Sequence, residues 1–138
     1  MYSTILNSYR EGGDIVMNIF QDTKASLDIE KLYDIDGYIT FRIKVISNGF
    51  SGMSNFCIAK LDIDNIQKKL QSIAEKLEGS VVIRDMDSDG FLKLELKEHG
   101  QLVCSGELGG SHRDHSIKFS FQADQTILAI LKHYLKKL

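Results

Sequence analysis

The sequence predicts an α+β fold in which two β-meanders alternate with two helices. Several short segments alternate apolar and polar side chains, which is typical of antiparallel strands with one solvated face. Two other stretches repeat apolar residues every three or four positions, as amphipathic helices do. The connections between the alternating segments are short enough for hairpins. We therefore expect a curved, mainly antiparallel sheet of about six to eight strands with two amphipathic helices, in the order meander, helix, meander, helix.

The first meander begins with a short predicted strand at Ile15–Phe20. Ala25–Tyr33 alternates like a half-buried strand, and the clearest alternation in the chain follows at Tyr38–Val45. Asn48 and Gly49 both tolerate a positive φ angle, so they predict a tight turn. Beyond this turn we expect a further strand at Met53–Lys60.

The first helix is predicted over Asp62–Glu78 from the spacing of its apolar residues. Those on one face are Ile63, Ile66, Leu70, Ile73 and Leu77. Asp62 and Asp64 compete as the N-cap, because Asp64 has capping-box spacing to Gln67. Gly79 is the residue expected just beyond the C-terminus, since glycine adopts the left-handed conformation without strain.

The second meander is predicted from four more strands: a short one at Val81–Arg84, alternating ones at Phe91–Lys97 and Ser116–Gln122, and another at Leu102–Leu108. Asp124 can cap a last helix with apolar residues on one face. Residues that we expect in the buried core include Phe41, Ile43, Leu94, Phe119 and Leu131.

The 138 residues correspond to about one domain. We expect residues 1–16 to be a loose leader and residues 17–138 to be a single α+β domain. The net charge of −2 argues against nucleic acid as a partner, and no apolar run is long enough for a membrane span. The start of the sequence lacks the apolar core of a signal peptide, and Cys57 and Cys104 are expected to be reduced thiols. These features together predict a cytoplasmic protein.

A run of acidic residues matches the first half of a calcium-binding loop. Asp85, Asp87, Asp89 and Gly90 have the required spacing, but Leu96 stands where the bidentate glutamate should be. Both flanks also read as strands, whereas an EF-hand loop lies between helices. We therefore expect a polar hairpin loop that binds no metal.

Other motifs also fall short of a catalytic or metal centre. His112 and His115 have a spacing seen in zinc sites, but the sequence shows no third ligand at an established distance. Gly49–Gly52 is one residue too short for a nucleophile elbow and is flanked by strands. Cys104 and His112 lack an orienting third residue. We predict no catalytic, cofactor-binding or metal-binding residue, and therefore no enzyme.

Carboxylates and aromatic residues in predicted turns suggest instead a surface for a basic protein partner. Aromatic side chains bury a large area at little entropic cost, and opposed charges speed association. The candidate partner-binding residues are Tyr33, Asp34, Asp36, Tyr38, Phe50, Asp85, Asp87 and Asp89.

Three segments together resemble the WapI-like immunity proteins of bacterial polymorphic toxin systems and their uncharacterised relatives. They are Gly37–Val45 leading into Gly49–Gly52, Leu61–Leu77, and Asp114–Thr126. The resemblance covers roughly residues 19–138. It implies a cytosolic, non-catalytic protein that neutralises a cognate toxin by binding it, and it supplies no catalytic motif to carry over.

We therefore expect a cytoplasmic immunity protein whose partner is a cognate toxin domain, with no cofactor. The alternative is a small-molecule-binding domain or minor enzyme that uses a pocket between sheet and helices. A pocket with convergent polar groups favours this alternative, whereas a filled core with an acidic exposed face favours the binding protein. A homodimer through an edge strand is a further expectation.

Overall fold

The computed structural model describes residues 8–11, 14–109 and 115–138. Within these ranges the chain forms nine strands, two α-helices and a short 3-10 helix at Glu98–Gly100. The strands are β1 (Ser8–Glu11), β2 (Asp14–Gln21), β3 (Ala25–Ile35), β4 (Tyr38–Ser47), β5 (Phe50–Ala59), β6 (Gly79–Arg84), β7 (Phe91–Leu96), β8 (Leu102–Gly109) and β9 (Ser116–Ala123). The helices are α1 (Lys60–Lys76), between β5 and β6, and α2 (Thr126–Lys136), after β9. The α+β class and the order meander, helix, meander, helix are thus confirmed.

The strands form two antiparallel sheets in which consecutive strands are neighbours. The first sheet has the order β1-β2-β3-β4-β5, and the second has the order β6-β7-β8-β9. The structure differs here from the single curved sheet expected from the sequence. α1 lies in the connection between the two meanders, and β6 pairs with β7 and does not extend the first sheet.

A buried apolar cluster joins both sheets and both helices. The five residues predicted for the core are all buried: Phe41, Ile43, Leu94, Phe119 and Leu131. Phe20 of β2 stacks on Phe121 of β9 with ring centroids 5.7 Å apart, which links the first sheet to the second. The ring centroids of Phe41 and of Tyr134 in α2 lie 6.4 Å apart. The sequence therefore assigned the core faces of the strands correctly.

Helix α1 begins two residues before the predicted start. Ala59 is its N-cap, and no side chain caps it. The Lys60 amide instead donates a hydrogen bond to the Gly37 carbonyl oxygen at 2.9 Å, so the β3–β4 hairpin satisfies this donor. The capping prediction for Asp62 and Asp64 is wrong, although Asp62 lies in the first turn, where the helix dipole favours its charge.

The C-terminus of α1 also differs from the prediction. Leu77, and not a glycine, is the C-cap in the left-handed conformation, with φ 58°. Its amide donates a hydrogen bond to the Ile73 carbonyl oxygen at 2.9 Å. Gly79 has φ 121° and is the first residue of β6. The positive φ of Leu77 is a strained choice for a residue with a side chain, and no local sequence signal predicts it.

Strand pairing begins inside the segment predicted to be a loose leader. β1 pairs with β2 from Ser8 opposite Met17 to Glu11 opposite Asp14. The pairing therefore crosses the expected boundary after residue 16. No α-helix in the described ranges is both long and apolar enough to cross a bilayer.

Candidate functional site

The centre of the core, where both sheets and both helices meet, is filled by apolar side chains. The void there has a volume of about 10 Å³. Its lining comes from both sheets and both helices: Ile29, Phe41, Ile43, Ile58, Ile63, Ile66, Ile83, Leu131 and Leu135. Ligand pockets usually measure roughly 300 Å³ or more and contain polar groups that orient the ligand. This void is therefore too small to hold a small-molecule ligand.

The loop between β6 and β7, residues 85–90, is held together by the Asp85 carboxylate. Asp85 is only 6% exposed. Its Oδ1 accepts hydrogen bonds from the backbone amides of Cys57 at 2.9 Å and Asp87 at 3.1 Å. Its Oδ2 accepts a hydrogen bond from Ser88 Oγ at 2.6 Å. Asp85 therefore fastens the loop to β5 and is not the exposed partner-binding carboxylate expected from the sequence.

Backbone contacts complete the attachment of this loop. The Met86 amide donates to the Cys57 carbonyl oxygen at 3.1 Å, so both backbone polar groups of Cys57 bond to the loop. The Asp85 amide donates to the Gly90 carbonyl oxygen at 3.0 Å and closes the loop. The flanks are strands, and Leu96 is buried in the core, so the geometry is that of a structural hairpin loop.

Metal-ligating and nucleophilic groups are not gathered in the described part of the chain. No cluster of three or more His, Cys, Asp or Glu side chains there could hold a metal ion. The pair His112 and His115, which the sequence analysis did not accept as a zinc site, cannot be placed, because His112 lies outside the described residues. Cys104 is buried in the core, and burial raises the pKa of its thiol, which opposes the reactive thiolate. Cys57 and Cys104 are both free thiols.

A β-bulge near the end of β3 changes which way the strand's side chains face. The pairing skips Leu32, because Lys31 pairs with Phe41 and Tyr33 pairs with Thr40. Simple alternation along β3 would place Tyr33 on the core face. The bulge instead turns Tyr33 to the opposite side, the outer face of the first sheet.

Three large apolar side chains lie together on this outer face beyond the bulge. Tyr33, Ile35 and Tyr38 are 52%, 58% and 43% exposed. Ile35 and Tyr38 are cross-strand partners, and Tyr33 lies two residues before Ile35 on the same side. The two tyrosines were predicted to be partner-binding residues, whereas Ile35 was missed. These side chains form an exposed apolar patch beside the β3–β4 turn.

Asp34 lies beside the start of α1. Its Oδ2 is 3.0 Å from Lys60 Nζ and 3.7 Å from Lys31 Nζ. The hydrogen bond from Lys60 lowers the pKa of Asp34 below its ordinary value, and the charges of both lysines act in the same direction. Together with the Lys60–Gly37 backbone bond, this ion pair holds the hairpin against α1. Asp34 therefore adds little net negative charge to the surface.

The hairpin and the 85–90 loop border the same end of the first sheet. Cys57, which bonds to the loop, pairs with Thr40, and Thr40 pairs with Tyr33. Two strand spacings, or about 10 Å, therefore separate Tyr33 from Cys57, and the loop lies beside Cys57. We define the hairpin surface by the exposed side chains of both segments: Tyr33, Ile35, Asp36, Tyr38, Met86, Asp87 and Asp89.

Phe50 is exposed but lies at the opposite end of the first sheet. It pairs with Ser47 beside the Asn48–Gly49 turn. The ten residues of β4 separate this turn from the hairpin surface, a distance of about 30 Å. The structure therefore brings together Asp36, both tyrosines, Asp87 and Asp89, but does not bring Phe50 to them.

The middle of the outer face carries charges of both signs. Glu30 is buried there, with Oε1 3.2 Å from Arg42 Nη1. Asp28 lies opposite Lys44 in the strand register. A groove of about 350 Å³ passes over these residues. The acids lie on β3 and the bases on the facing strand β4. We therefore interpret these residues as a cross-strand ladder of opposite charges, which stabilises the sheet and leaves the groove with little net charge.

Ile35 and Met86 are the hairpin-surface residues that sequence reasoning missed. Ile35 carries a usable signal, because it follows Tyr33 by two positions and must share its face. Met86 carries a weaker signal, as an apolar residue within a run of carboxylates. The bulge at Leu32 has no signature in the sequence, so the outward direction of Tyr33 could not be derived.

The sequence profile of the immunity protein WapI-like family matches residues 14–138, which is nearly the whole chain. The match includes every element from β2 to α2, and thus both segments of the hairpin surface. It confirms the resemblance seen in the sequence over roughly residues 19–138. No curated protein sequence matches significantly. The chain belongs to the immunity protein WapI-like family.

Proposed function

We propose that this chain is a non-catalytic cytoplasmic protein that neutralises a cognate secreted toxin by binding one of the toxin's domains. Membership of the immunity protein family over residues 14–138 is the observation that carries the proposal. The packing of the core is consistent with this, because the void where both sheets and both helices meet is too small for a ligand.

The hairpin surface is the proposed contact with the toxin. Tyr33, Ile35 and Tyr38 would provide the apolar centre, since aromatic anchors dominate binding energy when they are fully desolvated. Asp36, Asp87 and Asp89 would form a charged rim, which acts mainly on the association rate and its salt dependence. A toxin domain with a basic patch around an apolar pocket fits this arrangement.

Asp34 and Asp85 would act on toxin binding indirectly. Asp34 holds the hairpin to α1 through Lys60, and Asp85 holds the loop to β5 through Cys57. Their substitution should weaken binding by displacing the hairpin or the loop, with a matching loss of stability. Substitution of Asp87 or Asp89 should weaken binding without that loss.

Co-expression tests the proposal. The candidate toxin to express, from an inducible promoter, is the C-terminal domain of any large secreted protein that is encoded next to this chain. Cells that also express the wild-type chain should survive induction, and the two proteins should co-purify as a stoichiometric complex. Absence of both protection and a complex would contradict the immunity role.

Surface variants then test the proposed contact. Tyr33→Ala with Tyr38→Ala should weaken the complex by about a hundredfold, because it removes two aromatic anchors. Asp87→Lys with Asp89→Lys should slow association by about tenfold at low salt and flatten its salt dependence. Phe50→Ala is the matched control, because Phe50 is an exposed aromatic at the other end of the same sheet. If Phe50→Ala weakens the complex as much as the tyrosine variant, the contact lies elsewhere.

The edge-strand homodimer remains a separate prediction. Light scattering of the purified chain measures it directly, as a molar mass of one or two copies. The same measurement on the mixture with the toxin domain distinguishes a complex of one copy each from a dimeric complex. A dimer that dissociates when the toxin binds would place the dimer contact on the toxin-binding surface.

A further inference from the structure

A groove runs between α1 and β6, and none of the residues that define the hairpin surface lines it. Two adjoining hollows of about 450 and about 490 Å³ form the groove, and they share Lys69 and Ser80. One wall is the side of α1 that carries Asn65, Lys69 and Ser72, and the other is β6. The buried side chains at its base are Ile58, Ile66, Ile73 and Val81.

The wall formed by β6 is the edge of the second sheet. β6 pairs with β7 on one side and, within the described ranges, with no strand on the other. Every second residue of such an edge strand turns its backbone N–H and C=O away from the sheet. The edge of β5 differs, because the 85–90 loop bonds to the backbone of Cys57 there. The edge of β6 therefore borders the groove along strand residues that line it.

The groove is basic, although the whole chain has a net charge of −2. Its cations are Lys68, Lys69, Lys76 and Arg84, and its acids are Asp62 and Glu78. Within the described ranges, the lysines that form ion pairs are not the lysines of this groove. The guanidinium of Arg84 lies 5.9 Å from the centre of the Phe91 ring, which holds it at one end of the groove.

A strand edge beside a helix, with a groove between them, is the geometry in which proteins bind an added strand. The six residues of β6 can pair with about six residues of an extended segment. Lysines along the helical wall then face alternate side chains of that segment. Nucleic acid fits the groove less well, because the groove offers a backbone edge and an apolar base and lacks exposed aromatic platforms for bases.

We infer that the α1–β6 groove binds an extended acidic polypeptide segment, which adds to the second sheet as a strand beside β6. Main-chain hydrogen bonds to β6 provide the pairing, and the lysines with Arg84 select acidic side chains. The inference does not depend on the toxin or on the hairpin surface. It gives this chain a second binding surface. This surface selects an acidic partner, whereas the hairpin surface selects a basic one.

A synthetic peptide of about ten residues that alternates glutamate and valine is the probe. With a fluorescent label, its anisotropy should rise on titration with the wild-type chain, with a Kd below about 100 μM. The amides of residues 79–84 should exchange with deuterium about tenfold more slowly when the peptide is present. A peptide with proline at alternate positions cannot pair with a strand and should not bind.

Charge variants complete the test. Lys69→Glu with Arg84→Glu should weaken peptide binding by about tenfold, since both side chains line the groove. Lys97→Glu with Lys137→Glu is the matched control on other surfaces and should change the Kd by less than about twofold. Circular dichroism checks that both variants are folded. No binding of the glutamate–valine peptide at about 1 mM, or equal binding of the proline peptide or of an RNA oligonucleotide, would overturn the inference.

Discussion

The Asp85 carboxylate and the Cys57 backbone amide connect the loop of the second sheet to the last strand of the first. Asp85 Oδ1 lies 2.9 Å from Cys57 N, and 28 positions of chain, including all of α1, separate the two residues. Ionised acceptors form stronger hydrogen bonds than neutral ones, especially when buried. This contact therefore holds the two meanders together at the end where the hairpin surface lies.

Asp85→Ala should lower the free energy of unfolding by about 3 kcal/mol, because it leaves three part-buried donors without their acceptor. Asp85→Asn should cost about 1 kcal/mol, since its amide oxygen still accepts from Cys57. Urea denaturation measures both. Asp87→Ala, at the exposed neighbouring carboxylate, is the control and should stay within about 0.5 kcal/mol of wild type. An Asp85→Ala variant as stable as the wild type would mean that the loop attachment adds nothing to the fold.

Ser54→Ala should stabilise the protein by about 1 kcal/mol. Among the described residues, the buried Ser54 Oγ has no hydrogen-bond partner, so alanine removes a desolvated polar group from the core side of β5. Thermal denaturation measures the change. Ser51→Ala, at an exposed position of the same strand, should have almost no effect. Destabilisation by Ser54→Ala would show that the hydroxyl is bonded in solution.

Phe119→Ala should lower the free energy of unfolding by about 3–5 kcal/mol. Phe119 is buried in β9 and stacks on Phe121 with ring centroids 6.1 Å apart, so the truncation leaves a cavity between the sheets. Tyr33→Ala removes an aromatic ring from an exposed position and should cost about 0.5 kcal/mol or less. Equal denaturation midpoints for Phe119→Ala and the wild type would contradict the assigned faces of β9.

Lys60→Gln should raise the pKa of Asp34 towards its ordinary value of 3.8, because it replaces the charged ammonium donor that lowers this pKa with a neutral amide. The sign for stability follows from the direction of this shift. With its folded-state pKa lowered, ionised Asp34 stabilises the protein above pH 3.8, and this contribution is lost as the pH falls through the folded-state pKa. NMR titration of the Asp34 carboxyl carbon measures the change. Lys97→Gln is the control, and an unchanged Asp34 pKa in Lys60→Gln would refute the pairing.

Calcium should not bind the 85–90 loop with micromolar affinity. Both Asp85 oxygens accept internal hydrogen bonds, and Leu96 lies in the core at the position of the missing bidentate ligand. Isothermal titration with calcium chloride tests this on the purified chain. A micromolar isotherm that disappears in Asp87→Asn would show that the loop rearranges to coordinate the ion.

The periodic spacing of apolar residues predicted most elements of the fold, because apolar side chains occupy the positions that the fold buries. The alternation of Ile39, Phe41 and Ile43 with polar neighbours marks a core face, and all three side chains are buried. The ends of α1 were not predictable in this way. Its first amide is satisfied by Gly37 of a distant hairpin, and Leu77 adopts a conformation that local preference disfavours. Both depend on tertiary contacts, which a local pattern does not contain.

The candidate site was predictable in composition but only partly in arrangement. Tyr33 and Tyr38 were identified as aromatic residues in acidic surroundings, and both are exposed. Asp85 has the same local surroundings as Asp87 but is buried, because only the fold brings Cys57 beside it. Phe50 belongs to a different turn, and the separation of the two turns depends on the length of β4. Which residues share a surface thus depends on where the fold places them, and their local sequence does not show this.

The alternation along β4 lets folding and recognition evolve separately on one strand. Ile39, Phe41 and Ile43 face the core, while Tyr38 and Arg42 face outward between them. Point substitutions at the outward positions can change what the sheet recognises while the inward contacts persist, because the two sets share few partners. A single-residue insertion would instead exchange the two sets. Lineages of this fold should therefore change targets by substitution at alternate positions, with insertions confined to the turns.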